Sequence, residues 1–162
     1  MTIRCTQDRG RESLLSPIPR KNWEIDAYPV NEIAEYVQDV SQGDIDVLVE
    51  EYYNKYDMIL DGRDPEEFKK HVAVQAGIEI GFERFLEEKN YQAIVTHFGD
   101  LGSLKQLPGL AIQRLMEKGY GFGGEGDWKT AAMGIEAVYI DGDTTIRNLQ
   151  NELRWNSMYF SK

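Results

Sequence analysis

A β-prone run, Tyr91-Gln92-Ala93-Ile94-Val95-Thr96, lies between two helical patterns, and that alternation restricts the chain to the α/β class. Upstream, Asp64 as N-cap, Pro65 at the first helical position and Glu66–Glu67 in the first turn open a helix expected to reach about Lys89. Its inward positions are Phe68, Val72, Ile78, Phe82, Phe85 and Leu86. Gly77 and Gly81 sit one turn apart within it and suit close packing against a neighbour, because the apolar pattern continues on both sides. Downstream, Pro108-Gly109 starts a helix through Leu110, Ile112, Leu115 and Met116, closed by Lys118 and Gly119. The end of the central run opens into His97-Phe98-Gly99-Asp100, the place where open α/β sheets hold ligands. The expected fold is three-layer in style, a small sheet flanked by helices.

Other elements follow from spacing. Trp23, Ile25 and Ala27 alternate with Glu24 and Asp26 as in a short strand ended by Pro29. Val30, Ile33, Ala34, Val37 and Val40 recur at helical spacing. Asp44 is placed to cap a second helix whose apolar face is Ile45, Leu48, Val49, Tyr52, Tyr53 and Tyr56. Gly119 to Gly126 is glycine-dense, and Asp127 caps a helical beginning at Trp128. Beyond Met133, Ala137–Ile140 predicts a strand, Asp141-Gly142-Asp143 a turn, and Thr145–Trp155 a short helix. Three zones result: a basic leader without regular structure over 1–22, a central α/β domain over 23–133, and a tail over 134–162.

Composition limits the partners. The 162 residues carry a net charge of -10, while residues 1–22 hold Arg4, Arg9, Arg11, Arg20 and Lys21 against Asp8 and Glu12. An acidic body repels phosphate backbones, so no nucleic-acid partner is expected. No run approaches the roughly 18 apolar residues of a membrane span, and the first residues lack a secretory apolar segment, so no membrane role and a cytoplasmic location are expected. The single cysteine, Cys5, has no internal disulfide partner and no neighbouring base.

Three places could carry chemistry. Gly119-Tyr120-Gly121-Phe122-Gly123-Gly124-Glu125-Gly126 satisfies a dinucleotide fingerprint, yet it follows a helix rather than a strand and puts Glu125 where a pyrophosphate would lie. The same glycines expose one carboxylate, which suits a hard divalent ion; the plain alternative is a turn with a solvated Glu. His71, Gln75 and Glu79 share a helix face at a spacing compatible with metal, although such a stripe is more often an exposed or boundary face. His97 at the strand end is open to either a functional or a structural role.

Three strings, Thr96-His97-Phe98-Gly99-Asp100-Leu101, Leu104-Lys105-Gln106-Leu107-Pro108-Gly109-Leu110 and Gly119 to Ala132, resemble the central region of L-arabinose isomerase. Trp23-Glu24-Ile25-Asp26-Ala27-Tyr28-Pro29-Val30 resembles the same family. The resemblance implies an aldose–ketose isomerase that converts L-arabinose to L-ribulose with Mn²⁺, works in the cytoplasm and assembles as a homo-oligomer. It implies Glu125 as metal ligand and catalytic acid/base, and Phe98 as a wall of the sugar site. In the family, a second glutamate and two histidines complete the metal site downstream of the matched block. Here no histidine follows His97, and neither residues 1–22 nor 134–162 resemble the family. The chain is therefore expected to be a truncated middle piece, weak or inactive alone. The alternative is a non-catalytic remnant that retains packing or oligomer-forming surfaces.

Overall fold

The computed structural model describes the backbone of residues 2–7, 21–97, 99 and 101–141 and the side chains of 24–97, 99 and 101–134. The order is β1 (Thr2–Gln7), β2 (Lys21–Asp26), α1 (Val30–Gln38), α2 (Gln42–Lys55), α3 (Pro65–Lys89), β3 (Ala93–Thr96), α4 (Gly109–Glu117), β4 (Gly121–Gly124) and α5 (Trp128–Asp141). The strands form one sheet in the order β2-β1-β3-β4. β1 is antiparallel to β2 and β3, whereas β3 and β4 are parallel, with Thr96 opposite Gly124. A parallel pair needs a crossover, and α4 supplies it. The fold is thus α/β with a small sheet flanked by helices, as the alternation of patterns implies.

The alternation of β3 side chains explains where the helices lie. Ile94 joins a core with Ile33 of α1, Ile78, Phe82, Phe85 and Leu86 of α3, and Ala111, Ile112 and Leu115 of α4. Ala93 and Val95 point the other way and pack with Ala131 and Trp128 of α5. A third cluster, Val49, Tyr52, Val72 and Ala76, docks α2 on α3.

α3 begins and ends as its sequence dictates. Asp64 Oδ1 accepts from Glu67 N at 2.9 Å. At the other end Asn90 takes a left-handed conformation (φ 57°), Asn90 N donates to Glu87 O, and Tyr91 N donates to Leu86 O at 2.8 Å. That is a Schellman stop, and it draws Tyr91 out of the strand and stacks it on Phe85. The Tyr91 hydroxyl then reaches Asp26 Oδ2, tying the end of β2 to the end of α3. Gly81 lets α1 approach closely: a Cβ there would lie 2.6 Å from Val37 Cα. Gly77 is under no such pressure, its nearest neighbour being Ile45 at 3.5 Å.

Four expectations change. Residues 2–7, placed in a leader without regular structure, form β1, consistent with their Thr and Ile content and the free edge of β2. The cap of α2 is Ser41, whose Oγ accepts from Asp44 N at 3.2 Å; Asp44 sits in the first turn instead. Half of the glycine-dense stretch is a strand, β4, because the edge of β3 offers a ladder that offsets weak glycine propensity. The Ala137–Ile140 strand is absent: α5 continues to Asp141, since each further helical residue adds a bond to a ladder already nucleated. The Gly142-Asp143 part of the turn and the Thr145–Trp155 helix lie outside the described residues.

Candidate functional site

The parallel register places the residues after Thr96 and after Gly124 on one edge of the sheet. On the β3 side, His97 is exposed and its Nδ1 accepts from Gly99 N at 3.1 Å. The Thr96 hydroxyl is buried and has no hydrogen-bond partner among the described residues. Phe98, expected to wall the sugar site, lies outside the described residues, as does Asp100.

On the β4 side the backbone reverses sharply. Asp127 N donates to Gly124 O at 2.9 Å, and the two residues between them, Glu125 (φ 55°) and Gly126 (φ 86°), both have positive φ. This is the pattern of a type I′ turn, in which a glutamate is an uncommon choice for a left-handed position. Glu125 is exposed, and no hydrogen bond or ion pair engages its carboxylate among the described residues. The turn is pressed against the strand: a Cβ on Gly123 would lie 2.0 Å from Asp127 O. Asp127 then caps α5, its Oδ1 accepting from Thr130 N at 3.1 Å and its Oδ2 from Thr130 Oγ1 at 2.6 Å. These bonds hold the Asp127 carboxyl below its usual range.

This strand–turn–helix context corrects one sequence argument. The dinucleotide fingerprint does run through a strand into a helix start, but its turn still carries Glu125, a negative charge where a diphosphate would sit.

The His71–Gln75–Glu79 stripe is not an exposed metal face. Gln75 is 6% exposed and Glu79 is 0% exposed. Glu79 Oε2 accepts from Tyr52 Oη at 2.5 Å and Arg114 Nε at 2.7 Å, while Lys118 Nζ lies 3.0 Å from Oε1. Arg114 also reaches Glu51 at 2.5 Å and lies over the Tyr52 ring, 4.8 Å from its centroid. Burial, reinforced by Glu79, drives the Tyr52 hydroxyl far above its usual range, so it stays a donor. Burial opposes the charge on Arg114, but bonds to Tyr56, Glu51 and Glu79 outweigh it and keep the guanidinium protonated. Periodicity could not reveal this, because an i, i+4 polar pair looks the same outside or inside until its partner helix is known. Among the described residues, no group of three or more His, Cys, Asp or Glu side chains converges to hold a metal ion. A surface groove lined by Tyr36, Asp39, Arg84, Glu87 and Glu88 involves none of the strand-end residues.

With that geometry in place, similarity to known proteins narrows the reading. Residues 19–141 match the L-arabinose isomerase central domain, extending the 23–133 block on both sides. L-arabinose isomerase of Geobacillus kaustophilus (strain HTA426) is 44% identical over 124 residues, covering 76% of this chain and 25% of that protein. That of Serratia proteamaculans (strain 568) is 47% identical over 121 residues, 74% of this chain and 24% of the relative. L-arabinose isomerase 1 of Clostridium acetobutylicum is 49% identical over 111 residues, 68% of this chain and 23% of the relative. The chain thus spans about a quarter of the length of these relatives.

Proposed function

We propose, from the premise that this chain belongs to the L-arabinose isomerase family through its central domain, that it serves aldose–ketose isomerisation of L-arabinose to L-ribulose. The observation that carries the reading is Glu125, an exposed carboxylate held at positive φ between two glycines, at the edge where β3 and β4 both end. Isomerisation through an enediol moves one proton from C2 to C1 and a second from O2 to O1, so that the carbonyl passes from C1 to C2. A carboxylate without another bond can take the C2 proton and return it at C1, which is the role proposed for Glu125. Phe98, two residues beyond Thr96, is proposed as the apolar wall of the sugar site. The three-layer arrangement of the family, a cytoplasmic location and homo-oligomeric assembly are part of the same proposal. No helix among the described residues is long and apolar enough to cross a membrane.

Manganese fits this site only if further donors join Glu125. Glu125 is the hard oxygen donor such an ion takes, but one carboxylate does not satisfy an octahedral centre, and no further His, Cys, Asp or Glu group gathers around it among the described residues. We therefore assign Glu125 as one ligand and derive no step through the metal. The same observation favours a second reading, in which the chain is a packing or oligomerisation module with little turnover of its own.

Two measurements test these readings. Calorimetric titration with Mn²⁺ should give less heat with Glu125→Ala than with the wild-type chain; equal heats would remove the ligand role. In an L-arabinose isomerisation assay with added Mn²⁺, the 162-residue chain alone is expected to turn over poorly. Robust turnover would eliminate the packing-module reading.

A further inference from the structure

The polar stripe on α3 has work that the proposed chemistry leaves unassigned. α4 starts at Pro108-Gly109 with no side-chain cap of its own. Its third amide, Ala111 N, instead donates to Gln75 Oε1 at 3.3 Å, from the neighbouring helix. Gln75 Nε2 donates to Leu107 O at 2.8 Å and to Gln106 Oε1 at 2.9 Å. An amide N–H can only donate and a carbonyl can only accept, so these two backbone contacts fix the orientation of the Gln75 amide. The sense then passes on: Gln106 has its oxygen toward Gln75 and its nitrogen 2.8 Å from His71 Nδ1, which accepts. The segment 101–108, which lies between the candidate site at the end of β3 and α4, therefore ends on two bonds from the buried Gln75 side chain, to Gln106 and Leu107. A second, exposed attachment joins it to α1, Ser103 N donating to Asn31 Oδ1 at 3.0 Å.

We infer that Gln75 is a positioning residue: its buried amide caps α4 and fixes the far end of segment 101–108, and so sets how the β3 end is presented to ligand. The inference rests on the reading of the β3–β4 edge as the sugar face. Two substitutions separate the two jobs of the side chain. Gln75→Leu removes both. Gln75→Glu keeps an acceptor for Ala111 N but turns oxygen lone pairs toward Leu107 O and Gln106 Oε1.

The test is amide hydrogen exchange and chemical shift on the ¹⁵N-labelled full chain, with and without L-arabinose. Gln75→Leu should speed exchange about tenfold at Ala111 and Leu104, while Ile78 and Phe82 in α3 keep their protection. Gln75→Glu should keep Ala111 protected, release Leu104, and abolish the sugar-induced shift of Gly99 seen in wild type. Loss of that shift with the α4 cap intact is a result that a merely structural Gln75 would not give. Should Gln75→Leu fail to fold, Gln106→Ala removes one of the two loop-side partners, leaves the Leu107 bond, and should release Leu104 in part. Unchanged Leu104 exchange in every variant overturns the inference, as does joint loosening of Ala111 and Ile78 in Gln75→Glu. A Gly99 shift that persists in the variants overturns the inference alone, whereas its absence from wild type overturns the sugar-face reading and the inference with it.

Discussion

Glu79, on the buried side of α3, and Glu125, in the turn after β4, are both carboxylates with sparse polar sequence around them, yet the fold treats them in opposite ways. Glu79 is wholly buried, accepts hydrogen bonds at Oε2 from Tyr52 and Arg114, and is ion-paired at Oε1 with Lys118. Glu125 is exposed, bonded to nothing among the described residues, and held in a backbone conformation that disfavours a side chain. A charge taken from water must be compensated on every side or it unfolds the structure. A charge left in water at some conformational cost has no such explanation in packing. The contrast separates the glutamate that serves the fold from the one available to a ligand.

The contrast breaks first if Glu79 is dispensable. Glu79→Ala leaves Arg114, only 4% exposed, without its buried counter-charge, and should cost about 3–5 kcal/mol in urea unfolding. Replacing Glu79 by Leu and Arg114 by Met together should restore much of that loss, since the desolvation of both charges disappears. A loss below about 1 kcal/mol for Glu79→Ala would put the pair on the footing of a surface ion pair.

Glycine contacts come next in size. Gly81→Ala drives a methyl toward Val37 backbone, and Gly123→Ala drives one toward the Asp127 carbonyl. Each should cost about 1–3 kcal/mol by overpacking. The two should differ in kind: the first loosens α1 against α3, while the second displaces the turn that holds Glu125. Only Gly123→Ala should therefore also reduce the heat of Mn²⁺ binding.

How legible these regions were follows from the range of the interactions involved. Asp64, Pro65 and the apolar period through Leu86 specify α3 locally, and α3 forms with the expected bounds. β4 and the buried stripe depend on partners distant in sequence: β4 on the edge of β3, Gln75 on the start of α4, Glu79 on Arg114 and Lys118. A glycine run has almost no strand propensity of its own, and a polar i, i+4 pair carries no sign of which way it faces. Glu125 was legible as a candidate because glycines on both sides leave few reasons for a carboxylate there. Its positive φ was not, because that depends on the turn closing between Gly124 and Asp127.

Glu125 itself sharpens the comparison through a gain rather than a loss. The left-handed conformation costs a non-glycine residue about 1–2 kcal/mol, and the added flexibility of the unfolded glycine chain returns about 0.4–1 kcal/mol of that. Glu125→Gly should thus stabilise the chain by up to about 1.5 kcal/mol in urea unfolding while reducing the Mn²⁺ heat. Destabilisation would mean that the carboxylate supports the fold after all and belongs with Glu79.

The smallest expected effect is one of pH, at the residue that closes the same turn. Bonds from the Thr130 hydroxyl and Thr130 N–H lower the Asp127 carboxyl below its ordinary value of 3.8. A carboxyl lowered by folding adds stability that is fully present above the unfolded value and disappears as pH falls through the folded one. Asp127→Asn retains a capping oxygen but has nothing to titrate. Wild type should therefore hold a constant margin over Asp127→Asn in thermal melts from pH 7 down to about 4, and lose it progressively below that as the carboxyl protonates. A margin unchanged down to pH 2 would show that the cap works through its geometry alone, with no contribution from charge at the start of α5.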